Sequence, residues 1–170
     1  KTGHQRAIDA HPDWKMAFTV NKRINSKKLI EGIAKESRLF PFFKGNKLSF
    51  NSILDAYESA DFEIKDSQVI SYKFNRTRIE DIKTKVILNY HHDYATDDFT
   101  KSTESNADDG DTAEDLFLND AGDDTKNYKN SYYGIEGEQG GDPIEVKYIR
   151  HDETAVKLQR FLLAWYCNQH

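Results

Sequence analysis

Between residues 95 and 130 the chain gives up nearly all of its apolar side chains, and this interruption limits what the rest can fold into. Asp, Asn, Ser, Thr and Gly dominate there, and Leu116, Phe117 and Leu118 form its one apolar island. Such a stretch cannot offset the entropy of ordering its own backbone. It is predicted to be a long, flexible acidic insert, with one short helical turn near Ala113 to Leu118. A packed body must then be assembled from the segments on either side. The strand before the insert and the strand after it are expected to pair, which makes the insert an overgrown connection.

Those flanking segments change hydrophobic period along the chain. Trp14, Met16, Phe18 and Val20 alternate with Lys15, Ala17 and Thr19, the period of a half-buried strand. Leu29, Ile30, Ile33 and Ala34 then follow helical spacing behind Ser26 as the expected N-cap. That helix is predicted to end near Arg38, ahead of Pro41. Phe40 to Phe43 and Leu48 to Phe50 flank Lys44-Gly45-Asn46 and read as a β-hairpin. Val69 to Phe74 and Lys83 to Tyr90 are rich in β-branched and aromatic residues. In the second of these, Val86, Leu88 and Tyr90 share one face. Ile144, Val146 and Tyr148 alternate once more beyond a glycine-rich turn, Gly134 to Gly141. Finally Asp152 is the expected cap of a helix over residues 152–170. Ala155, Leu158, Phe161, Leu162, Trp165 and Tyr166 form its apolar stripe. The sum is an α+β fold: a mainly antiparallel sheet packed by two longer helices, at 26–38 and 152–170, carrying the 95–130 insert.

At 170 residues the chain fits a single domain spanning residues 1–170. Ten Phe and nine Tyr let a modest apolar share build a core, because each ring buries a large area. The start at Lys1, and the stop at His170 inside a helical pattern, point to a piece of a longer protein. That cut end is also expected to leave Phe161, Leu162, Trp165 and Tyr166 partly bare, favouring self-association as a homo-oligomer. No apolar run reaches the roughly 20 residues of a membrane span.

The formal charge is −5, which argues against general nucleic-acid binding. From Asp93 to Asp124, however, twelve acidic side chains and one Lys carry −11, so the rest of the chain carries +6. Arg76, Arg78, Lys83 and Lys85 lie close in sequence to Tyr72 and Phe74. That patch fits a module stacking on single-stranded nucleic acid. Solvent-face cations on a strand explain it equally simply.

Catalytic groupings are sparse. His91-His92-Asp93 is the most tempting, yet neighbours on a strand point to opposite faces, so His91 with Asp93 gives two ligands and no complete metal site. His4, His11 and His151 repeat no ligand spacing. Asp108-Asp109-Gly110-Asp111 has a calcium-loop composition without the alternation of oxygen ligands. The glycine-rich turn precedes a strand and lacks a Lys-Ser or Lys-Thr, so it reads as turn geometry. Cys167, the lone cysteine, lies on an apolar helix and reads as a packed thiol. No catalytic, cofactor-binding or metal-ligating set is therefore assigned, and the chain is expected not to be an enzyme.

The stretch Val69 to Thr77, continuing through Ile82-Lys83-Thr84-Lys85-Val86 to Tyr90 and Asp93-Tyr94, resembles a segment of tailed-bacteriophage tail proteins of the hub, baseplate or tip-attachment type. The Tyr148-Ile149-Arg150 strand followed by the Thr154 to Leu163 helix is similar to the helix that precedes the next tail domain. The Trp14 to Phe18 strand and the Lys28-Leu29-Ile30 helix fit the same arrangement. The resemblance excludes the acidic insert. It implies a non-catalytic virion structural part, located in the tail, whose partners are copies of itself or neighbouring tail proteins. Without that resemblance the expected location is cytoplasmic.

Overall fold

The structure is a computed structural model and describes residues 8–9, 11–20, 23–53, 64–73, 75–104 and 130–169. In chain order its main elements are α1 (Ser26–Glu36), β1 (Leu39–Lys44), β2 (Lys47–Ser52), β3 (Ile87–Asp93), β4 (Asp98–Glu104), β5 (Ile144–Glu145) and α2 (Asp152–Tyr166). Single 3-10 turns occur at Asp66–Gln68, Ile79–Asp81 and Ser131–Tyr133. The fold is α+β, as the alternation of periods requires.

Helix α1 starts one residue earlier than its sequence signal. Asn25 is the cap, its Oδ1 accepting from the N–H groups of Lys27 at 2.9 Å and Lys28 at 3.3 Å, and Ser26 is the first helical residue. After the helix, Arg38 adopts a positive φ of 57° and turns the chain into β1. Strands β1 and β2 pair antiparallel from Leu39↔Ser52 to Lys44↔Lys47, forming a separate two-stranded sheet. Gly45 (φ 55°) and Asn46 (φ 61°) are both left-handed, as a two-residue hairpin turn demands.

The second sheet has the order β4-β3-β5. Strand β3 pairs antiparallel with β4 from Ile87↔Glu104 to Asp93↔Asp98, and parallel with β5 at Leu88↔Ile144 and Asn89↔Glu145. The strands before and after the insert thus do pair, and they do so in parallel. The ladder starts at Ile87 rather than at Lys83, but the alternation of burial begins earlier. Thr84, Val86, Leu88, Tyr90 and His92 all face inward. Ahead of the ladder, Lys83 N–H reaches Tyr166 O at 2.9 Å and Thr84 N–H reaches Gln139 O at 2.6 Å. These residues spend their backbone donors on the end of α2 and the glycine-rich turn.

Several expected boundaries move. Residues 98–104 were expected within the flexible insert, yet they form β4, because β3 offers an unpaired edge that satisfies their backbone groups. Residues 105–129 of the insert, including the Ala113 to Leu118 turn and the Asp108 to Asp111 cluster, lie outside the described residues. Trp14 to Val20 joins no ladder. Ala17 N–H bonds Tyr148 O at 3.0 Å and Lys15 N–H bonds Thr154 Oγ1 at 3.1 Å, so the segment is pinned to the body as an irregular strap. Residues 69–73 form no strand either, and Phe74 lies outside the described residues. The last strand shortens to Ile144–Glu145. Helix α2 stops at Tyr166 rather than at residue 170, and His151 rather than Asp152 holds its cap position.

The core gathers Val86, Leu88 and Tyr90 from β3 and its approach, Val146 and Ile149 from the link into α2, and Ala155, Leu158 and Leu163 from α2. Trp14, Met16, Phe161, Leu162 and Tyr166 pack against it part-buried. Each fully buried Leu or Ile contributes about 1.5–3 kcal/mol. Among the described residues no helix is long and apolar enough to cross a membrane.

Candidate functional site

Three places collect chemistry. The first is the β1–β2 hairpin. Cross-strand partners share a face, so the register puts Phe40 with Asn51 and Phe42 with Ser49 on one side. Leu39, Pro41 and Phe43 lie with Ser52, Phe50 and Leu48 on the other. Ile53 N–H bonds Arg38 O at 2.9 Å, which sets the alternation of the ladder and places the Pro41 nitrogen at the outer edge. The α1 helix is the element that packs on β1. Phe40 keeps 61 % and Phe43 77 % of its surface in solvent, and Phe42 is exposed as well. Aromatics on both faces of an edge-blocked hairpin thus stay largely in solvent.

The second place is a groove between α1 and the residues that follow β5. It has a volume of about 240 Å³ and apolar walls from Ile144, Val146, Leu158 and Leu162. Gly32 sits at its base, where any side chain would meet the Tyr148 ring at 2.7 Å. Glu36 is buried at the end of α1, and each of its carboxylate oxygens accepts one backbone N–H, from Lys147 and Tyr148, both at 2.8 Å. Burial pushes the Glu36 carboxyl up to about 7 against the opposing pull of those backbone donors and of the Lys35 charge. Periodicity could not single out Glu36, since Glu is ordinary at the end of a helix and its burial depends on distant partners.

The third place is the His91-His92 corner of β3. His91 has a positive φ of 59°. Its Nδ1 lies 2.7 Å from Thr100 Oγ1, and Arg150 Nη2 lies 3.4 Å from its Nε2. Arg150 can only donate, so Nε2 accepts and Nδ1 carries the hydrogen toward Thr100, whose hydroxyl donates to His91 O at 3.0 Å. That wiring spends the imidazole as a brace and leaves it no lone pair to activate Thr100. His92 faces the opposite way, buried, with Nε2 at 3.0 Å from Asp97 Oδ1 and its ring edge-on to Tyr94 and Phe99. The two histidines do not converge. Asp93 Oδ1 accepts from Ala95 N–H at 2.9 Å, as a turn residue. Among the described residues no three His, Cys, Asp or Glu side chains group to hold a metal ion.

No protein-family model matches this chain, and no curated protein matches its sequence.

The basic and aromatic patch is divided by the fold. Tyr72, Arg76 and Arg78 are exposed on irregular chain. Lys83 instead places its ammonium 4.8 Å over the Tyr166 ring, and Lys85 pairs with Glu138 at 3.0 Å. The glycine-rich turn wraps Thr84: Gln139 N–H donates to Thr84 Oγ1 at 2.7 Å, and that hydroxyl lies 3.2 Å from Gly137 O. His11 stacks edge-on against Trp14 at 5.1 Å, His151 is exposed at the α2 cap, and His4 lies outside the described residues. Cys167 is fully buried, and burial pushes its thiol up to about 11. Of the α2 stripe, Trp165 stays 45 % exposed, while Phe161, Leu162 and Tyr166 are part-covered.

Proposed function

We propose that this chain is a non-catalytic structural and assembly domain whose docking element is the β1–β2 hairpin. The observation that carries this reading is the exposure of Phe40 and Phe43 on opposite faces of a hairpin whose main packing partner among the described elements is α1. Exposed aromatic clusters of this kind mark protein contact surfaces. The resemblance to tailed-bacteriophage tail proteins supplies the setting: a virion part contacting copies of itself or neighbouring tail proteins. Catalysis receives no support from the His91 corner, where the hydrogen-bond polarity braces a bend.

The genes flanking the encoding gene and a hairpin variant test this together. Tail and tape-measure neighbours, with Phe40→Ser/Phe43→Ser abolishing assembly of a normally folded chain, are the expected results. Replication or metabolic neighbours, or unchanged assembly in the variant, would overturn it. A second reading is a single-stranded nucleic-acid module, favoured by the exposure of Tyr72, Arg76 and Arg78. Salt-dependent binding of oligonucleotides, weakened by Arg76→Ala, would establish that reading instead.

A further inference from the structure

Glu36 is an unusual group in this molecule. It is 6 % exposed, it accepts from the backbone N–H groups of Lys147 and Tyr148 with that of Ile149 also drawing on the carboxylate, and no Lys or Arg among the described residues lies within ion-pair distance of it, Lys35 acting from farther off. A buried carboxylate without a direct cation partner is expensive, and hydrogen bonds from neutral amides offset only part of that cost. The same residue lines the groove whose other walls are Ile144, Val146, Leu158 and Leu162.

We propose that this groove is a binding site for a primary ammonium group carried on a short apolar body, with the ammonium donating to the Glu36 carboxylate and the body lying between Val146 and Leu162. The dimensions suit such a ligand. An apolar cavity of about 150 Å³ holds a benzene ring, and the 240 Å³ here takes a ring or alkyl chain with a two-carbon ammonium arm. The two carboxylate oxygens offer about four lone-pair sites, and the backbone N–H groups of Lys147, Tyr148 and Ile149 take three of them, which leaves one for an incoming donor. The charge matches as well: an ammonium supplies a direct ion-pair partner, which Glu36 lacks among the described residues. Burial raises the Glu36 pKa, and an ammonium bound beside it would favour the charged carboxylate.

The charged and titratable groups around the groove are Lys35 on α1 and Glu145, Lys147 and Tyr148 on the facing segment. Lys35, Glu145 and Lys147 are solvent-exposed and are screened by water and salt. The Glu36 carboxylate is buried, where its field is less attenuated than that of the exposed charges. It therefore decides the sign of the ligand. The ammonium belongs either to a free small amine or to a lysine side chain of a partner protein.

The test is an amide-resonance titration at pH 8 with phenethylammonium, Nα-acetyl-lysine methylamide, 2-phenylethanol and phenylacetate. Saturable shifts at Gly32, Lys147 and Tyr148 are expected with the two ammonium compounds and not with the alcohol or the acid. The tighter of the two ammonium compounds identifies the source. Glu36→Gln is expected to weaken binding about tenfold or more, as the loss of a charge-assisted hydrogen bond implies. Leu162→Phe leaves the carboxyl in place and fills the groove, so it should weaken binding even if the Glu36 variant folds poorly. Equal binding of the alcohol, unaltered binding in Leu162→Phe, or no saturable shift with either ammonium overturns the proposal.

Discussion

Arg38 places its guanidinium carbon 4.0 Å from the centroid of the Phe161 ring, packing the turn after α1 directly onto the face of α2. The same side chain donates through Nη2 to Ile53 O at 2.9 Å, at the far end of β2. One cation thus ties the helix, the base of the hairpin and the C-terminal helix together. Phe161 in turn lies beside Trp165, with ring centroids 6.2 Å apart. A largely buried cation–π contact is worth about 2 kcal/mol, and a charged hydrogen bond to a carbonyl adds about 1.5 kcal/mol. Arg38→Met is expected to lower unfolding stability by about 2 kcal/mol in urea titrations. A double-mutant cycle with Phe161→Leu should return a coupling of about 1 kcal/mol; strict additivity would show that the stacking contributes nothing.

Glu36 should make stability depend on pH with the opposite sign to most carboxylates. Its folded pKa of about 7 stands above the ordinary 4.5, so the folded state holds the proton more tightly than the unfolded chain. The favourable contribution is complete below about pH 4.5 and is lost as pH rises toward and through 7. The full swing is on the order of 3 kcal/mol for such a displacement. Unfolding free energies measured from pH 5 to 8 should fall in the wild-type chain and run flatter in Glu36→Gln. Identical slopes would show that Glu36 titrates as it does in water.

The hairpin and the core should respond oppositely to truncation. Leu88 is fully buried between the sheet and α2, and Leu88→Ala is expected to cost about 3–4 kcal/mol through lost burial and the cavity left behind. Phe43 is mostly solvated, and Phe43→Ser should change stability by no more than about 0.5 kcal/mol. Thermal and urea unfolding of the two variants measures both. A large loss in Phe43→Ser would mean that its ring is covered by the protein itself.

Cys167 should be chemically silent while the chain is folded. Its thiol is fully buried at the end of α2 and its pKa is raised to about 11, so almost no thiolate exists at neutral pH. A disulfide reagent at pH 8 should react slowly with the native protein and at an ordinary thiol rate in denaturant. Prompt reaction without denaturant would place the thiol at the surface.

Where structure rests on neighbours in sequence, the residues alone determined it. The stripe from Ala155 to Tyr166 fixed α2, the helical spacing of Leu29 to Ala34 fixed α1, and Gly45-Asn46 fixed the tight hairpin turn. The alternation of Val86, Leu88 and Tyr90 set the inward face of β3. Tertiary structure decided what depends on partners far along the chain. Polar residues 98–104 became a strand because β3 had an open edge, whereas the alternating Trp14 to Val20 segment found no ladder to join. Glu36 reads as a surface residue by composition and is buried because Lys147 and Tyr148, over a hundred positions away, offer it two amide donors. His91 is wired to Thr100 and to Arg150, which lies beyond the acidic segment and fixes the direction of those hydrogen bonds. Periodicity encodes which way a side chain faces; the fate of a polar group is set by whatever donor or acceptor the folded chain brings to it.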